Sequence, residues 1–334
     1  MTEKCHGHYL CNEAIIDIIF FNKLCRNSKC FICWNALDDV GKRGTKMHKI
    51  AIVVDSNSGY TQEEADKAGI YLIPMPFYIN EEEYFEGVNL THEEFFDFLK
   101  QDANVSTSQP SPETVLKLWE ELLKTHEEVL YFPMSSGLSG TCQTAMMLAQ
   151  EFEGKVLVVD NQRISAPLKH SIQDAIVMAD MGKSAKKIKK YLEETKMDSA
   201  VYITVDTLKY LKKGGRITPA VAALGTLLKI KPILQIRGEK LDSYAKARTM
   251  SQAKKIMVDA LKKDVEEVFD GNVKEVHFDI AHTRNEEGAM SMKKMIEETF
   301  SGCEVSIVDP LSLSVACHIG EGALGVAWTR RLIV

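Results

Sequence analysis

The sequence predicts an α/β protein with two α/β domains. Short apolar runs that are typical of buried strands alternate along the chain with amphipathic runs that are typical of helices. This pattern restarts at Val201, and we therefore place a domain boundary near Ser199. A chain of 334 residues is long enough for two domains of ordinary size.

The first domain, residues 48–198, is predicted to be a three-layer α/β/α sandwich around a mainly parallel sheet. Its predicted strands cover Ile50–Val54, Ile70–Phe77, Val129–Phe132 and Lys155–Val159. Its predicted helices cover Thr61–Ala68, Glu93–Lys100, Pro112–Lys124, Cys142–Glu151 and the region 165–195. Thr91 and Glu94 have capping-box spacing, and Ser111 before Pro112 is a typical helix start.

The second domain, residues 199–334, repeats the alternation of strands and helices. Its predicted strands cover Val201–Val205, Pro232–Ile236, Leu241–Lys246 and the regions 274–281, 303–308 and 323–328. Its predicted helices cover Thr207–Lys213, Pro219–Leu228 and Met250–Phe269. The helix at 220–228 is apolar nearly all round, which fits either the centre of a core or the wall of an apolar tunnel.

Two loops rich in hydroxyl groups are candidate anion sites. One follows the strand Val129–Phe132 and contains Ser135, Ser136, Gly137, Ser139 and Thr141; the other covers residues 106–112. Loops at the carboxyl ends of parallel strands expose N–H groups and helix amino termini, which attract anions. Any one of these serines can equally cap a helix or shape a turn. Neither loop has the spacing of a nucleotide P-loop, so a nucleotide is not the expected anion.

Six sequence motifs, taken together, resemble the DegV family of fatty-acid-binding proteins over residues 47–334. The motifs are Asp55-Ser-Asn-Ser58, Thr107-Ser-Gln-Pro-Ser111, Ser135-Ser-Gly-Leu-Ser-Gly-Thr141, Lys213-Gly-Gly-Arg-Ile217, Lys246-Ala-Arg-Thr249 and His318-Ile-Gly-Glu-Gly-Ala-Leu-Gly325. The resemblance implies a two-domain DegV-like fold with a mixed sheet in the second domain. The chain departs from the family pattern at Glu321, usually proline, and at Gly59, often acidic; we expect Glu321 to face solvent.

The resemblance also implies a ligand, a long-chain fatty acid bound at the domain interface. Thr107 and Ser136 are then expected to hydrogen-bond the carboxylate. Ser108, Ser135 and the N–H groups of Gly137 to Ser139 are expected to complete its cradle, and His318 of the second domain to close over it. The second domain is expected to supply the pocket for the acyl chain, in which each buried methylene contributes about 0.8 kcal/mol.

A kinase partner follows from the same resemblance. In the family, a separate ATP-dependent fatty acid kinase phosphorylates the bound fatty acid, and the acyl phosphate enters phospholipid synthesis. Arg216 and Arg248 are candidates for contacting the phosphorylated head group or the kinase, because a guanidinium binds phosphate through two donors. The lysines beside Arg216 are read as solvated side chains. No cofactor and no catalytic residue is expected in such a carrier.

Two other functions stay open at the level of sequence. Ser136, His318 and Asp55 contain the residue types of a serine hydrolase or acyltransferase, although Ser-Ser-Gly-Leu-Ser-Gly is not the Gly-x-Ser-x-Gly elbow of such enzymes. A lipid sensor without a kinase partner is the other alternative.

Composition restricts the partners and the compartment. A net charge of −6 and a pI near 5.9 argue against nucleic-acid binding. No apolar run is long enough to span a membrane. Cysteines are sparse after residue 46, which is typical of the reducing cytoplasm. The extension 1–46 is cysteine-rich, but its Cys30-Phe-Ile-Cys33 pair would need a second ligand pair to hold zinc, so we expect no metal site.

Overall fold

The computed structural model describes residues 48–218, 221, 230–238 and 241–332. Three sequence predictions therefore lie outside the described residues. They are the cysteine-rich extension 1–46, its Cys30–Cys33 pair and, apart from Val221, the apolar helix at 220–228.

A parallel sheet forms the centre of the first half of the chain. Its strands are β1 (His48–Asp55), β2 (Tyr71–Ile73), β6 (His126–Phe132) and β7 (Val156–Val158). They lie in the order β2-β1-β6-β7, and every neighbouring pair runs parallel. Both faces pack into apolar clusters, which explains the nearly continuous apolar runs of β1 and β6.

Helices cover both faces of this sheet. The helices of this half are α1 (Gln62–Ala68), α2 (His92–Lys100), α3 (Pro112–Leu122), α4 (Thr141–Leu148), α5 (Ser165–Asp180) and α6 (Ala185–Glu194). All of them except α2 cover the parallel sheet; α2 packs in a separate apolar cluster with Phe77 and Val105. The predicted capping box of Thr91 and Glu94 is confirmed, as is the N-cap at Ser111 before Pro112. Short 3₁₀ turns cover Ser56–Ser58 and Ala149–Phe152.

The single strand predicted at Ile70–Phe77 is wrong. The segment contains β2 and, after Pro74, the separate strand β3 (Pro76–Ile79). β3 pairs antiparallel with β4 (Glu82–Phe85) and β5 (Val105–Thr107), two strands that the sequence analysis did not predict. Pro74 lacks an N–H group, and the N–H of Met75 donates to Ser56 Oγ at 3.1 Å, so the chain leaves the first sheet here.

The second half of the chain forms a six-stranded mixed sheet. Its strands are β8 (Ser199–Thr204), β9 (Lys231–Ile236), β10 (Leu241–Ala247), β11 (Val276–His282), β12 (Val305–Pro310) and β13 (Leu324–Arg330). Their order is β10-β9-β8-β13-β11-β12; only β11 and β12 run parallel. The parallel and mixed sheets confirm the predicted α/β fold class.

The remaining described helices are α7 (Lys209–Gly214), α8 (Met250–Phe269), α9 (Glu286–Thr299) and α10 (Leu313–Ile319). A 3₁₀ turn covers Val273–Glu275. One face of the mixed sheet packs against α8 and α9 in a large apolar cluster. The sequence analysis predicted neither α9 nor α10. Asn285 caps the start of α9, where its side-chain oxygen accepts from the N–H of Gly288 at 3.1 Å.

The two larger sheets use different parts of the chain. All strands of the parallel sheet lie between His48 and Val158, and all strands of the mixed sheet lie between Ser199 and Arg330. Helix α5 packs against β11 and β13, on the face of the mixed sheet opposite α8. The division into domains 48–198 and 199–334 stays a prediction.

Candidate functional site

An apolar cavity of about 450 Å³ lies between the two halves of the chain. The mixed sheet contributes Val201, Ile203, Ile236, Ala281 and Ala327 to its wall. The first half contributes apolar side chains too, among them Met134, Leu138, Ile164, Ala166 and Pro167, together with a similar number of uncharged polar ones. A cavity of this size and lining suits the hydrocarbon part of a small molecule.

A polar corner of this cavity is formed by residues from both halves. Thr107 ends β5 and His318 lies in the last turn of α10; Thr107 Oγ1 is 2.9 Å from His318 Nε2. Ser108 and Ser139 line the same cavity. Thus four of the predicted carboxylate-binding residues, Thr107, Ser108, Ser139 and His318, lie around one space.

His318 is held closely against helix α7. A Cβ atom added to Gly214 would lie 2.2 Å from His318 Nδ1, so no larger residue than glycine fits there without movement. Burial, followed by the positive charge of Arg216, lowers the pKa of His318 from its ordinary 6.5 to about 4. The imidazole is therefore neutral at pH 7, with one ring N–H to donate and one nitrogen to accept.

Arg216 lies at the cavity, whereas Arg248 does not. Arg216 is an exposed residue that lines the cavity, and its guanidinium donates to the carbonyl oxygen of Gly214. Arg248 is exposed, and its backbone N–H donates to Gln252 Oε1 at 2.9 Å. It is not among the described residues that line the cavity. Of the neighbouring lysines, Lys209 pairs with Asp102 at 2.5 Å.

The loop at Ser135 does not form the predicted cradle of free N–H groups. The N–H groups of Leu138 and Ser139 both donate to the carbonyl oxygen of Ser135, and that of Gly137 donates to Ser135 Oγ. The N–H of Ser136 donates to Asp160 Oδ1 at 3.3 Å. A tight turn thus uses these donors itself. Among described residues, Ser135, Ser136 and Gly137 do not line the cavity.

The three residues of the alternative hydrolase are not arranged as a catalytic triad. His318 Nε2 bonds to Thr107 rather than to Ser136. Asp55 is fully buried and accepts from the backbone N–H groups of Asn57 and Met134, at 2.9 Å each. Burial raises the pKa of Asp55 to about 6. Asp55 therefore holds the end of β1 against the loop after β6 and does not orient His318.

Asn57 is a cavity residue that the sequence analysis missed. Its side chain is 1% exposed, and its Oδ1 accepts from Ser314 Oγ at 2.5 Å. Its Nδ2 has no hydrogen-bond partner among the described residues. A buried amide donor without a partner is costly unless a ligand accepts from it. The feature of the sequence that could have identified Asn57 is its position in the hydroxyl-rich run directly after β1.

Asp279 is a second cavity residue that the sequence analysis missed. It is 1% exposed and lies within strand β11, among apolar neighbours. Its Oδ1 is 2.9 Å from His170 Nε2, and its Oδ2 has no partner among the described residues. The sequence signal was an acidic residue in the middle of an apolar strand, where a charge is expensive to bury.

Glu321 lies at the surface, beside Arg284. Glu321 lies 3.6 Å from Arg284 Nε, is about 40% exposed and is absent from the described cavity wall. In the part of the chain that the structure describes, no cluster of three His, Cys, Asp or Glu side chains is suited to a metal ion. No described helix is both long and apolar enough to cross a membrane.

A second cavity of about 620 Å³ is larger but contains different residues. It lies beside Tyr60, Glu64, Glu86, His92 and Asp309. None of the predicted carboxylate-binding residues, all of which the structure describes, lines it. We therefore take the smaller cavity as the candidate site, because it is lined by the Thr107–His318 pair and by two buried groups that have no partner among the described residues.

Comparison with known proteins gives one consistent family. The model of the DegV family, described as uncharacterised proteins, matches residues 49–331. A DegV domain-containing protein of Staphylococcus aureus strain MRSA252 is 32% identical over 288 residues, covering 85% of this chain and 100% of that protein.

Solved structures of similar proteins agree with this family and with the fold. A DegV family protein of Thermus thermophilus, described by its fatty acid binding, has a TM-score of 0.77 and 30% identity, covering 84% of this chain and 99% of that one. DegV of Bacillus subtilis, described as a fatty acid binding protein, has a TM-score of 0.75 and 28% identity, and the match covers 85% of this chain and 100% of that one.

Proposed function

The chain belongs to the DegV family, and from this membership and the geometry of its cavity we propose that it binds a long-chain fatty acid. The acyl chain occupies the apolar cavity, and the carboxylate lies at the corner formed by Thr107 and His318. The observation that carries this proposal is the 2.9 Å contact between these two residues at a cavity whose walls are otherwise mainly apolar.

The corner offers the donors that a carboxylate needs. The Thr107 hydroxyl is a candidate donor when the Nε2–H of the neutral His318 ring donates to Thr107 Oγ1 and leaves the hydroxyl proton free. Asn57 Nδ2, which has no partner among the described residues, is a second candidate, with Ser108 and Ser139 beside them. Hydrogen bonds to a charged acceptor are stronger than those between neutral groups. The nearby guanidinium of Arg216 adds a favourable positive charge. The turn at Ser135 supports Ser139 and is not itself placed in the carboxylate site.

Lipid carried through purification tests this function. Native mass spectrometry of the protein, followed by denaturation and lipid extraction, is expected to release a fatty acid in about one-to-one ratio. The variant His318→Ala is expected to carry less, because the Thr107 hydroxyl then loses the ring that orients it. If delipidated wild-type protein binds no fatty acid of 14 to 20 carbons in a titration, the proposed function is wrong.

We further propose that the protein is a carrier without a catalytic residue of its own, and that it presents the carboxylate to a separate ATP-dependent fatty acid kinase for acyl-phosphate formation and phospholipid synthesis. Arg216 supports this role, because it is exposed at the cavity and can contact a phosphate or the kinase. Arg248 is a candidate for kinase docking only, since it lies away from the cavity wall.

The three described cysteines are free thiols, in keeping with a cytoplasmic setting.

The kinase step is tested by reconstitution with ATP and a purified fatty acid kinase. Arg216→Ala is expected to retain fatty acid binding but to reduce acyl-phosphate formation, whereas Lys212→Ala, an exposed change in the preceding helix α7, is expected to have no effect. Loss of activity in both variants would assign the effect to helix α7 in general. Binding without phosphorylation by any kinase would favour the lipid sensor instead.

A further inference from the structure

Asp279 places a carboxyl group in the apolar wall of the cavity. Across the mixed sheet it is in register with Ala327, which is in register with Val201, and Val201 with Ile236. All four residues line the cavity. An acidic side chain therefore occupies one position of a row that is otherwise apolar.

One oxygen of this carboxyl group is held by a histidine. Asp279 Oδ1 lies 2.9 Å from His170 Nε2, and His170 Nδ1 lies 3.0 Å from Gln173 Oε1. Because an amide oxygen only accepts, Nδ1 carries a proton. His277 stacks on the His170 ring with centroids 3.9 Å apart and fixes its plane. Gln173 and His277 thus hold the His170 ring that in turn positions Asp279.

The other oxygen is an acceptor whichever group holds the shared proton. With the proton on His170 Nε2, Asp279 is a carboxylate; with the proton on Oδ1, Oδ2 is a carbonyl oxygen. Oδ2 has no hydrogen-bond partner among the described residues. Burial raises the pKa of Asp279, but both protonation states leave Oδ2 in need of a donor. A methylene chain cannot supply one, and a hydroxyl group can.

Sheet register places Asp279 away from the polar corner. Ile203 packs in the same apolar cluster as Ile319, the residue next to His318, and Val201 does not belong to that cluster, so Ile203 lies nearer to the corner. Ile203 belongs to the row of Gly325 and Ala281, whereas Asp279 belongs to the row of Val201. Two residues along a strand are about 7 Å. Asp279 therefore faces the acyl chain and not its carboxylate.

We propose that the cavity selects a fatty acid that carries a hydroxyl group part-way along its chain, and that this hydroxyl donates to Oδ2 of Asp279. The inference rests on the proposed fatty acid binding and adds the class of fatty acid. A site built to bond a hydroxyl discriminates against the analogue that lacks it, because the buried acceptor is then left unpaired.

Competition between stearic acid and its monohydroxy derivatives tests the proposal. Delipidated wild-type protein is titrated with isomers that carry the hydroxyl at successive positions, and the bound species are measured by native mass spectrometry. At least one mid-chain isomer is expected to bind about tenfold or more tightly than stearic acid, and isomers with the hydroxyl elsewhere are not. Equal affinity for all isomers and stearic acid would overturn the proposal.

Two variants separate the hydroxyl contact from general effects. Asp279→Leu removes the acceptor and is expected to abolish the preference while binding stearic acid at least as well. In Asp279→Asn the amide nitrogen can donate to His170 Nε2 while the amide oxygen takes the place of Oδ2. This variant is expected to retain the preference, which covers the case in which the leucine variant fails to fold. A preference that persists in a folded leucine variant would contradict the proposal. If the wild type binds none of these acids, the proposed function itself fails.

Discussion

Thr107 Oγ1 and His318 Nε2 lie 2.9 Å apart, although 211 positions separate the two residues in the sequence. Thr107 ends an antiparallel strand of the first half, and His318 lies in a short helix between β12 and β13. The contact exists only when both halves are in place. It brings a hydroxyl and a neutral imidazole to one corner of an otherwise mainly apolar cavity.

Thr107→Val is expected to weaken fatty acid binding about tenfold. Valine keeps the shape of threonine but lacks the hydroxyl, and one hydrogen bond to a charged group is worth about 1.5 kcal/mol or more. Isothermal titration with a saturated fatty acid measures the change. Thr125→Val is the matched control, because the Thr125 hydroxyl bonds to Leu122 and is absent from the described cavity wall. Equal losses in both variants would rule out a role for Thr107.

The stability contributed by His318 is expected to fall on acidification. Its pKa is about 4 in the folded protein and 6.5 ordinarily, so between these values the unfolded chain binds more protons. The free energy of unfolding must then decrease as the pH falls from about 6.5 to 4, by up to about 3 kcal/mol.

His318→Gln isolates this contribution, because glutamine does not titrate in that range. Urea unfolding of both proteins between pH 7 and pH 4 is expected to show a difference in unfolding free energy that shrinks towards pH 4. A difference that does not change with pH would show that His318 titrates normally in the folded protein.

Gly214→Ala is expected to destabilise the wild-type protein by about 1 to 3 kcal/mol. The new Cβ atom would lie 2.2 Å from His318 Nδ1, so the ring or helix α7 must move. In a His318→Ala background the obstacle is gone, and the same change is expected to be neutral or to stabilise the helix by up to about 1 kcal/mol. Thermal unfolding of the four proteins of this cycle checks the coupling. Equal effects in both backgrounds would refute the close approach.

Asn57→Asp is expected to weaken fatty acid binding at pH 7 by at least about tenfold. The change keeps an oxygen for Ser314 but replaces the Nδ2 donor, to which no described residue bonds, with an oxygen that repels a carboxylate. Asn272→Asp is the control, since Asn272 is an exposed N-cap whose oxygen accepts from Lys274. Unchanged affinity in Asn57→Asp would exclude Asn57 from the head-group site.

Local signals in the sequence predicted most elements but not all of their boundaries. Met250–Phe269 agrees with helix α8 at both ends, because Thr249 caps its start, and Ser111–Pro112 marks the start of α3. The error at Ile70–Phe77 has a local and a non-local cause: Pro74 lacks an N–H group for the sheet, and the N–H of the next residue, Met75, donates to the distant Ser56 Oγ. Such a bond cannot be predicted from the segment itself.

The sequence by itself determined the α/β class, the caps of several helices and the family, because these depend on local periodicity and on motifs that lie together in the chain. Only the tertiary structure decided which polar groups share the cavity. It bonded the N–H groups of Leu138 and Ser139 to the carbonyl oxygen of Ser135 and brought Thr107 to His318. It also left Asn57 Nδ2 and Asp279 Oδ2 without a partner within the described part of the chain. The physical reason is that hydrogen-bond satisfaction depends on distances between segments far apart in sequence.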